Sequence, residues 1–179
     1  RATAETASEN SVDGIFAPLF WMFVGAGLWS ITKSLPGPLT LAWTFKATST
    51  IDSMLGYREG KLRWLGTAGA KLDDLLTWFP CRLVFLSLPL ISIPINQFIK
   101  TLKSAWSEGI QDLSPNSGLS ESIFAHCARI QMGGTNSYNA KKVAKKKLCE
   151  GAPKANKKNI NQLLDMSLKL EITWLVISV

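Results

Sequence analysis

The sequence predicts an all-α fold: a polytopic integral membrane protein with re-entrant or Pro-broken segments and a polar, lysine-rich loop region. Three observations predict it. Residues 14–32 form a nineteen-residue stretch without a charged side chain, bounded by Asp13 and Lys33. As a helix this stretch is about 28 Å long, close to the ~30 Å hydrocarbon core of a bilayer. A second uncharged stretch covers residues 83–99, and residues 141–158 hold eight lysines and a single acid.

The first predicted element is a polar helix over residues 1–13, which leads into the first span. Glu5, Glu9 and Asp13 recur every four residues, so a helix places the three acids on one face. Like charges at this spacing repel by a few tenths of a kcal/mol per pair, and a bound cation or basic partner would remove that cost. A solvated acidic face explains the same spacing, and the sequence leaves both interpretations open.

Residues 35–45 form a short apolar segment that opens with Pro36-Gly37-Pro38 and runs into Lys46. This length and composition fit a re-entrant segment, an interfacial helix or half of a bent span. Lys46 has apolar neighbours in the sequence, where a charge is costly and therefore often functional, although a lysine that snorkels to the interface gives the same pattern. A charged connection over residues 52–74 follows.

Residues 75–99 form the next apolar segment, which we expect Pro89 and Pro94 to break. The basic residues between positions 56 and 71 favour a cytoplasmic location, and the lysine-rich region favours the same side. One simple span through residues 83–99 cannot satisfy both. We therefore favour a re-entrant path for this segment; the alternative is that one basic loop departs from the positive-inside rule.

A polar region over residues 100–162 follows, within a single membrane domain that covers residues 1–179. Its turn-forming segments, 114–118 and 133–136, contain glycines, which give backbone amides the freedom to point at a ligand. A helix-like segment, 121–132, separates them. We expect the lysine-rich part to be a solvated basic loop beside anionic lipid or on the cytoplasmic side. It lacks the interleaved aromatic residues of a nucleic-acid-binding arm, so no nucleic-acid partner is predicted.

The C-terminal residues 163–179 are apolar except for Asp165, Lys169 and Glu171. We expect an amphipathic helix there or the start of another span.

Familiar catalytic signatures do not occur in the sequence. Three widely spaced cysteines match neither a metal-ligand spacing nor a disulfide framework, and the single histidine leaves no persuasive nucleophile–base pair. Neither GxxxxGK[ST] nor a dinucleotide fingerprint is found. What remains are carboxylates, amides and cations that could clamp a metal-bound nucleotide and a phosphorylated substrate, since proteins usually hold Mg²⁺ through one or two carboxylates together with substrate phosphates. The candidate carboxylates are Asp52, Asp73, Asp74, Glu9 and Asp13.

Short motifs run along nearly the whole chain: Glu9-Asn10-Ser11-Val12-Asp13-Gly14, Ala17-Pro18-Leu19-Phe20, Lys46-Ala47, Thr50-Ile51-Asp52-Ser53-Met54-Leu55-Gly56-Tyr57, Ala70-Lys71-Leu72-Asp73-Asp74, Pro80-Cys81-Arg82, Ser114-Pro115-Asn116-Ser117-Gly118, Glu121, Gly133-Gly134 and Tyr138. In this order they resemble the motifs of the adenosylcobinamide-phosphate synthase family of cobalamin biosynthesis, the CobD/CbiB proteins. The chain departs from the family pattern at Thr77, Cys81, Thr135 and around His126. Family members carry further spans before the first motif, so the chain resembles the C-terminal part of the family.

The resemblance implies an amide-forming ligase of the bacterial inner membrane. The family joins a propionate side chain of adenosylcobyric acid to aminopropanol or its phosphate, with ATP and Mg²⁺ as cofactors, and gives adenosylcobinamide or its phosphate. The implied partners are therefore the corrinoid, the amino alcohol and the lipid bilayer, with other membrane proteins of the same pathway as further candidates. Activation of the carboxylate, most simply as an acyl phosphate, would leave the protein the tasks of positioning and neutralising phosphate charge.

The resemblance also implies a set of site residues. The predicted catalytic residues are Asp52, Asp73 and Asp74, acting on Mg²⁺ or on the proton of the amine. The predicted metal ligands are Glu9, Asp13 and Asp52. The predicted substrate- and phosphate-binding residues are Asn10, Lys46, Tyr57, Arg58, Lys71, Arg82, Ser114, Asn116, Gly118, Gly133 and Gly134.

Two other function classes stay open at this point. In a transporter or channel fragment, Asp52 and Lys46 would line an ion path. In a non-catalytic remnant or partner subunit, the missing front part would carry the activity. Substrate-dependent ATP consumption distinguishes an enzyme from either.

Overall fold

The computed structural model describes residues 2–33, 36–55, 63–138 and 141–178. Tyr57 and Arg58, two predicted substrate-binding residues, lie outside the described residues. The chain forms two compact units: unit 1 consists of Arg1–Ser11 with Cys81–Val179, and unit 2 consists of Val12–Pro80.

Helices make up most of the described chain. In chain order the elements are α1 Ala2–Ser11, a π-helical turn Val12–Phe16, α2 Ala17–Thr32, α3 Pro38–Leu55, α4 Arg63–Ser92, α5 Ile95–Gly109, α6 Ser117–Ala128, β1 Met132–Tyr138, β2 Lys141–Leu148 and α7 Lys157–Ile177.

The Pro36-Gly37-Pro38 segment begins an ordinary helix in unit 2. Helix α2 ends at Lys33, whose left-handed backbone (φ 53°) lets its N–H reach the carbonyl of Trp29. Helix α3 then packs closely against α2, because a Cβ atom on Gly25 would lie only 2.7 Å from the Cα of Pro38. The segment thus forms the start of an eighteen-residue helix, α3, and its predicted re-entrant, interfacial or bent-span placement stays a prediction.

The predicted break at Pro89 is wrong. Helix α4 continues through Pro80 and Pro89 and ends at Ser92, whereas Pro94 (φ −61°, ψ 142°) is extended and starts α5. A proline removes one hydrogen bond, and the following turn can still form: the Ile93 N–H donates to the carbonyl of Pro89 at 3.1 Å.

The lysine-rich region over residues 141–158 is a loop only in part, since residues 149–156 connect a strand to α7. Residues Lys141–Leu148 form strand β2, paired antiparallel with β1 from Met132↔Leu148 to Tyr138↔Lys141. The all-α prediction is therefore corrected to a mainly helical fold that, among the described residues, contains one β-hairpin. Backbone pairing with β1 defines this strand, so its side-chain composition did not reveal it.

The core of unit 1 surrounds α6. Ten of its twelve residues are buried, and Ile123 and Phe124 are fully enclosed. Helix α5 approaches α6 at a glycine pair, since a Cβ on Gly109 would lie 2.8 Å from the carbonyl oxygen of Gly118. The predicted C-terminal helix is confirmed as α7, whose N-terminus is closed by a reciprocal pair of hydrogen bonds between Asn156 and Asn159.

Within the described residues, two helical stretches are long and apolar enough to cross a membrane: Ala2–Thr32 and Gly66–Ser92. The first contains the predicted span of residues 14–32. The second lies earlier in the chain than the predicted stretch of residues 83–99, because the helix is continuous through Pro80 and ends before Pro94.

Candidate functional site

Helices α3 and α4 bring three predicted catalytic carboxylates together in unit 2. The half-buried Asp73 interacts electrostatically with Asp52 and Asp74. It also accepts a hydrogen bond from the side chain of Ser49 and lies within the electrostatic range of Lys46. The structure thus places Asp52, Asp74 and Lys46 around Asp73, and we call these four residues with Ser49 the carboxylate cluster. Their predicted roles stay predictions.

The packing of α3 against α4 explains how the carboxylate cluster forms. Gly69 lies against α3, where a Cβ atom added to it would be 3.1 Å from Cγ2 of Ile51 and 3.7 Å from the backbone nitrogen of Asp52. Asp73 is one helical turn after Gly69 and therefore on the same face of α4. The side chain of Asp73 contacts Ser49, which lies nearly one turn before Asp52 on α3. A step forward along α4 therefore corresponds to a step backward along α3, so the two helices are antiparallel at this site. The absence of a side chain at Gly69 allows the approach.

Two buried oxygen atoms on α4 are the candidate contacts for a polar ligand at this site. Oδ1 of Asp73 and Oγ1 of Thr77 are shielded from solvent and have no hydrogen-bond partner among the described residues. They lie one turn apart on the same helix face. Buried polar atoms are normally paired, and an unpaired one carries a desolvation cost of about 1–3 kcal/mol. A bound cation or polar substrate group would remove that cost.

For three other predicted site residues the structure gives the position and exposure. In unit 2, Lys71 is exposed on α4, and Asp13 lies half-buried in the π-helical turn. In unit 1, Asn10 is exposed near the end of α1. Their predicted contacts with substrate or metal stay predictions.

In unit 1, Arg82 holds the turn that starts α6. Its guanidinium donates to Oδ1 of Asn116 at 2.5 Å and to the carbonyl oxygen of Pro115 at 2.9 Å. The hydroxyl of Ser114 accepts from the backbone N–H groups of Asn116 and Ser117, both at 3.3 Å. The structure thus brings Arg82, Ser114 and Asn116 together, and their mutual hydrogen bonds order this turn. Their predicted contacts with substrate stay a prediction.

Three predicted substrate-orienting glycines have backbone roles in the structure. Gly118 permits the contact between α5 and α6, because a Cβ there would meet the backbone of Gly109 and the side chain of Asp112. Gly133 (φ 70°) and Gly134 (φ 85°) lie in β1 at an irregularity of the pairing and not in a turn, which corrects the predicted turn. There the Gly133 N–H donates to the buried Glu5 carboxylate at 2.8 Å.

Comparison with known proteins decides the family. The model of the CobD/CbiB protein family matches residues 1–167. The chain belongs to the CobD/CbiB family.

Individual relatives agree with this assignment. The chain is 42% identical over 151 residues to "Cobalamin biosynthesis protein CobD" of Synechocystis sp., which covers 84% of this chain and 42% of the relative. It is 34% identical over 178 residues to the protein of that name in Streptococcus sanguinis, covering 99% of this chain and 52% of the relative. For "Cobalamin biosynthesis protein CbiB" of Salmonella paratyphi A the identity is 37% over 147 residues, or 81% of this chain and 42% of the relative. The chain thus spans about half the length of these curated relatives. No solved structure matches it.

This CobD/CbiB chain has a second polar cluster that the residue predictions missed. The ammonium group of Lys145 is 2.9 Å from Oε1 of Glu121 and 3.9 Å from Oδ2 of Asp112. These three residues line a cavity of about 180 Å³ together with Glu108 and Gly118. Glu121 belongs to one of the family motifs, whereas Lys145 is one of many lysines in its region and gave no separate signal.

Burial and pairing act against each other in this second cluster. Burial raises the pKa of Glu121, although the hydrogen bond and charge of Lys145 oppose the shift. Burial lowers the pKa of Lys145, but its hydrogen bond to Glu121 and the charges of Glu121, Asp112 and Glu9 outweigh this effect and leave the pKa raised. Glu121 and Lys145 thus form a part-buried ion pair between α6 and β2.

The predicted metal ligands do not form a metal centre of their own. Glu9 belongs to unit 1, whereas Asp13 and Asp52 belong to unit 2. In the part of the chain that the structure describes, no group of three or more His, Cys, Asp or Glu side chains could hold a metal ion. The carboxylate cluster nevertheless suits Mg²⁺ bound to a nucleotide, because this ion needs only one or two protein carboxylates when phosphates supply further oxygen ligands. Asp73, with a buried unpaired oxygen, is the residue of the cluster that could supply such a ligand.

Proposed function

We propose that this chain carries the site of an amide-forming enzyme of cobalamin biosynthesis at which ATP binds and activates a carboxylate. The reaction would join adenosylcobyric acid to aminopropanol or its phosphate at the expense of ATP and give adenosylcobinamide or its phosphate. Membership of the CobD/CbiB family supports the pathway. The observation that carries the site assignment is the pair of buried unpaired oxygens on Asp73 and Thr77, next to two further carboxylates.

The chemistry of amide formation fits the carboxylate cluster. A carboxylate does not react with an amine until it is activated, and transfer of the terminal phosphoryl group of ATP would convert it to an acyl phosphate. The amine nitrogen then bonds to the carbonyl carbon, the bond from that carbon to the phosphate oxygen breaks, and phosphate leaves. The nitrogen must give up protons, and a carboxylate of the cluster would accept one of them.

Each residue of the cluster has a distinct part in this proposal. Asp73 would bind Mg²⁺ together with the nucleotide phosphates, Asp52 and Asp74 would add negative charge around the ion, and the ion would neutralise phosphate charge. Lys46 would pair with a phosphate oxygen, as a lysine does when it acts as a point charge for phosphate. Thr77 would donate its hydroxyl hydrogen to a bound oxygen, which completes the hydrogen bonding of the site.

The protein would act in the bacterial inner membrane as a polytopic protein. The two apolar helical stretches, Ala2–Thr32 and Gly66–Ser92, support this placement by their length and composition.

Product formation tests the proposal. Membranes containing the chain receive adenosylcobyric acid, aminopropanol phosphate, ATP and Mg²⁺, and mass spectrometry measures product and ADP. We expect Asp73→Asn and Asp52→Asn to lower the rate at least a hundredfold. Ser53→Ala, a matched change at the exposed neighbour of Asp52, should stay within twofold of the wild-type rate. Equal rates for Asp73→Asn and Ser53→Ala would contradict the site assignment.

A further inference from the structure

Unit 1 contains a polar cavity that has no part in the proposed reaction. It measures about 430 Å³, is open to solvent on one side and lies between the end of α4 and one face of α7. Lys158 and Lys169 line it together with Asn161, Asp165 and Ser92. Two ammonium groups against one carboxylate leave the cavity with an excess of one positive charge, and the side-chain amide adds hydrogen-bond donors.

The hydroxyl of Ser92 indicates that this cavity takes a ligand. Its Oγ is shielded from solvent and has no hydrogen-bond partner among the described residues. A buried hydroxyl without a partner loses about 1–3 kcal/mol relative to a paired one. An oxygen-rich anion in the cavity would accept the hydroxyl hydrogen and remove this cost.

The packing of α7 on α4 fixes the level of the cavity along the apolar helix. The indole N–H of Trp174 donates to Oγ of Ser87 at 3.2 Å. Five residues further along α4, Ser92 faces the cavity with Asp165 and Lys169, which precede Trp174 on α7. The two helices are therefore antiparallel here, and the polar start of α7 lies beside the C-terminal end of the apolar stretch that ends at Ser92.

The opposite end of α7 has a different character. Ile172, Leu175 and Val176 are 52%, 43% and 70% exposed, and they lie beyond Lys169 in the direction of the apolar interior of α4. If Gly66–Ser92 crosses a bilayer, these side chains contact acyl chains and the cavity lies at the level of the headgroups.

We propose that this cavity binds the phosphate group of a phospholipid headgroup, and this inference rests on the membrane placement proposed above. The phosphodiester carries one negative charge, which matches the excess charge of the cavity. Lys158 and Lys169 would pair with its oxygens by extending their long side chains toward the headgroup level. The first turn of α7, where Lys158 lies, adds the favourable field of a helix N-terminus. Bound lipid would hold α7 against the end of α4.

Retention of lipid by the purified chain tests this inference. The chain is extracted in detergent, stripped of loosely bound lipid and incubated with phosphatidylglycerol, phosphatidylethanolamine or inorganic phosphate, and native mass spectrometry counts the bound molecules. We expect one retained phospholipid of either headgroup, because both contain the phosphodiester. In Lys158→Ala/Lys169→Ala the affinity should fall about twenty-five-fold, since each lysine near a lipid phosphate contributes roughly a factor of five.

Matched variants separate this binding from a general effect of charge. Lys154→Ala/Lys157→Ala removes two exposed lysines of the same region that do not line the cavity, and we expect its lipid affinity to equal that of the wild type. Ser92→Ala should weaken binding several-fold without changing the helical circular dichroism. Equal losses in both double variants would overturn the proposal, as would binding of inorganic phosphate without retained lipid.

Flotation with vesicles reports the membrane placement separately. If the chain floats with vesicles but no variant changes lipid retention, the cavity assignment alone fails. If the chain does not associate with vesicles, the membrane placement fails and the cavity assignment with it.

Discussion

Gly69 offers a sharp test of how α3 and α4 build the carboxylate cluster. In Gly69→Ala the new methyl group would lie 3.1 Å from Cγ2 of Ile51, whereas an ordinary contact begins at 3.4 Å. The helices must therefore separate by about 0.3 Å, which moves Asp52 relative to Asp73. A misplacement of 1 Å can cost about a hundredfold in rate, so we expect a loss of roughly fourfold.

The stability of this variant should change little. Replacing a helical glycine by alanine gains about 1 kcal/mol, and the contact with Ile51 costs about the same, since this half-exposed side chain can yield only in part. Loss of rate without loss of stability is therefore the expected signature. It is measured by the rate of amide formation and by thermal unfolding of the same preparations.

A compensating change and a control complete the test. Ile51→Ala removes the methyl group that the new side chain meets, so Gly69→Ala/Ile51→Ala should return to within twofold of the wild-type rate. Gly27→Ala should leave the rate unchanged, because no described atom lies within 4 Å of a Cβ there. A single variant with full activity, or a double variant that is no better than Gly69→Ala, would refute the reasoning.

Three further predictions concern unit 1. Gly118→Ala should lower the unfolding temperature by roughly 5 °C, since its Cβ would meet the backbone of Gly109. Gly14→Ala, with open space around the new Cβ, serves as the control. Equal unfolding temperatures of the two variants would contradict the close approach of α5 and α6. Glu121→Gln and Lys145→Met should each destabilise by about 1–3 kcal/mol in urea unfolding. The double variant should lose less than the sum, because each single change leaves the other group without its charged partner at 2.9 Å; strict additivity would argue against the ion pair. The pKa of Lys145 is raised above its usual 10.5, so the stability from its charge is complete at neutral pH and is lost as the pH rises through the higher folded-state pKa. Above about pH 10.5 the wild type should therefore lose stability more steeply than Lys145→Met, and parallel curves would show that the charge contributes nothing.

The sequence predicted the helices better than the pairing. The polar helix before the first apolar stretch and the C-terminal helix follow from charge spacing and apolar periodicity, which are local properties. The hairpin was missed because the lysine-rich composition of Lys141–Leu148 is atypical of a strand, and backbone pairing with the neighbouring strand β1 defines it. The break predicted at Pro89 was wrong because the surrounding turns keep α4 helical in spite of one lost hydrogen bond.

The candidate site was predicted in part. Motif resemblance selected Asp52, Asp73 and Asp74, and the structure brings them together. The sequence did not predict the hydrogen bond from Gly133 to the buried Glu5 or the ion pair of Lys145 with Glu121. Both contacts join residues far apart in the sequence. Contacts of this kind depend on the packing of whole elements.

Binding of a nucleotide with Mg²⁺ to the carboxylate cluster is the central claim, and calorimetric titration of the purified chain with ATP, with and without Mg²⁺, tests it most directly. We expect binding that requires Mg²⁺, that weakens at least tenfold in Asp73→Asn and that is unchanged in Ser53→Ala. Binding of equal strength in Asp73→Asn, or no binding of the nucleotide by the wild-type chain, would contradict the account.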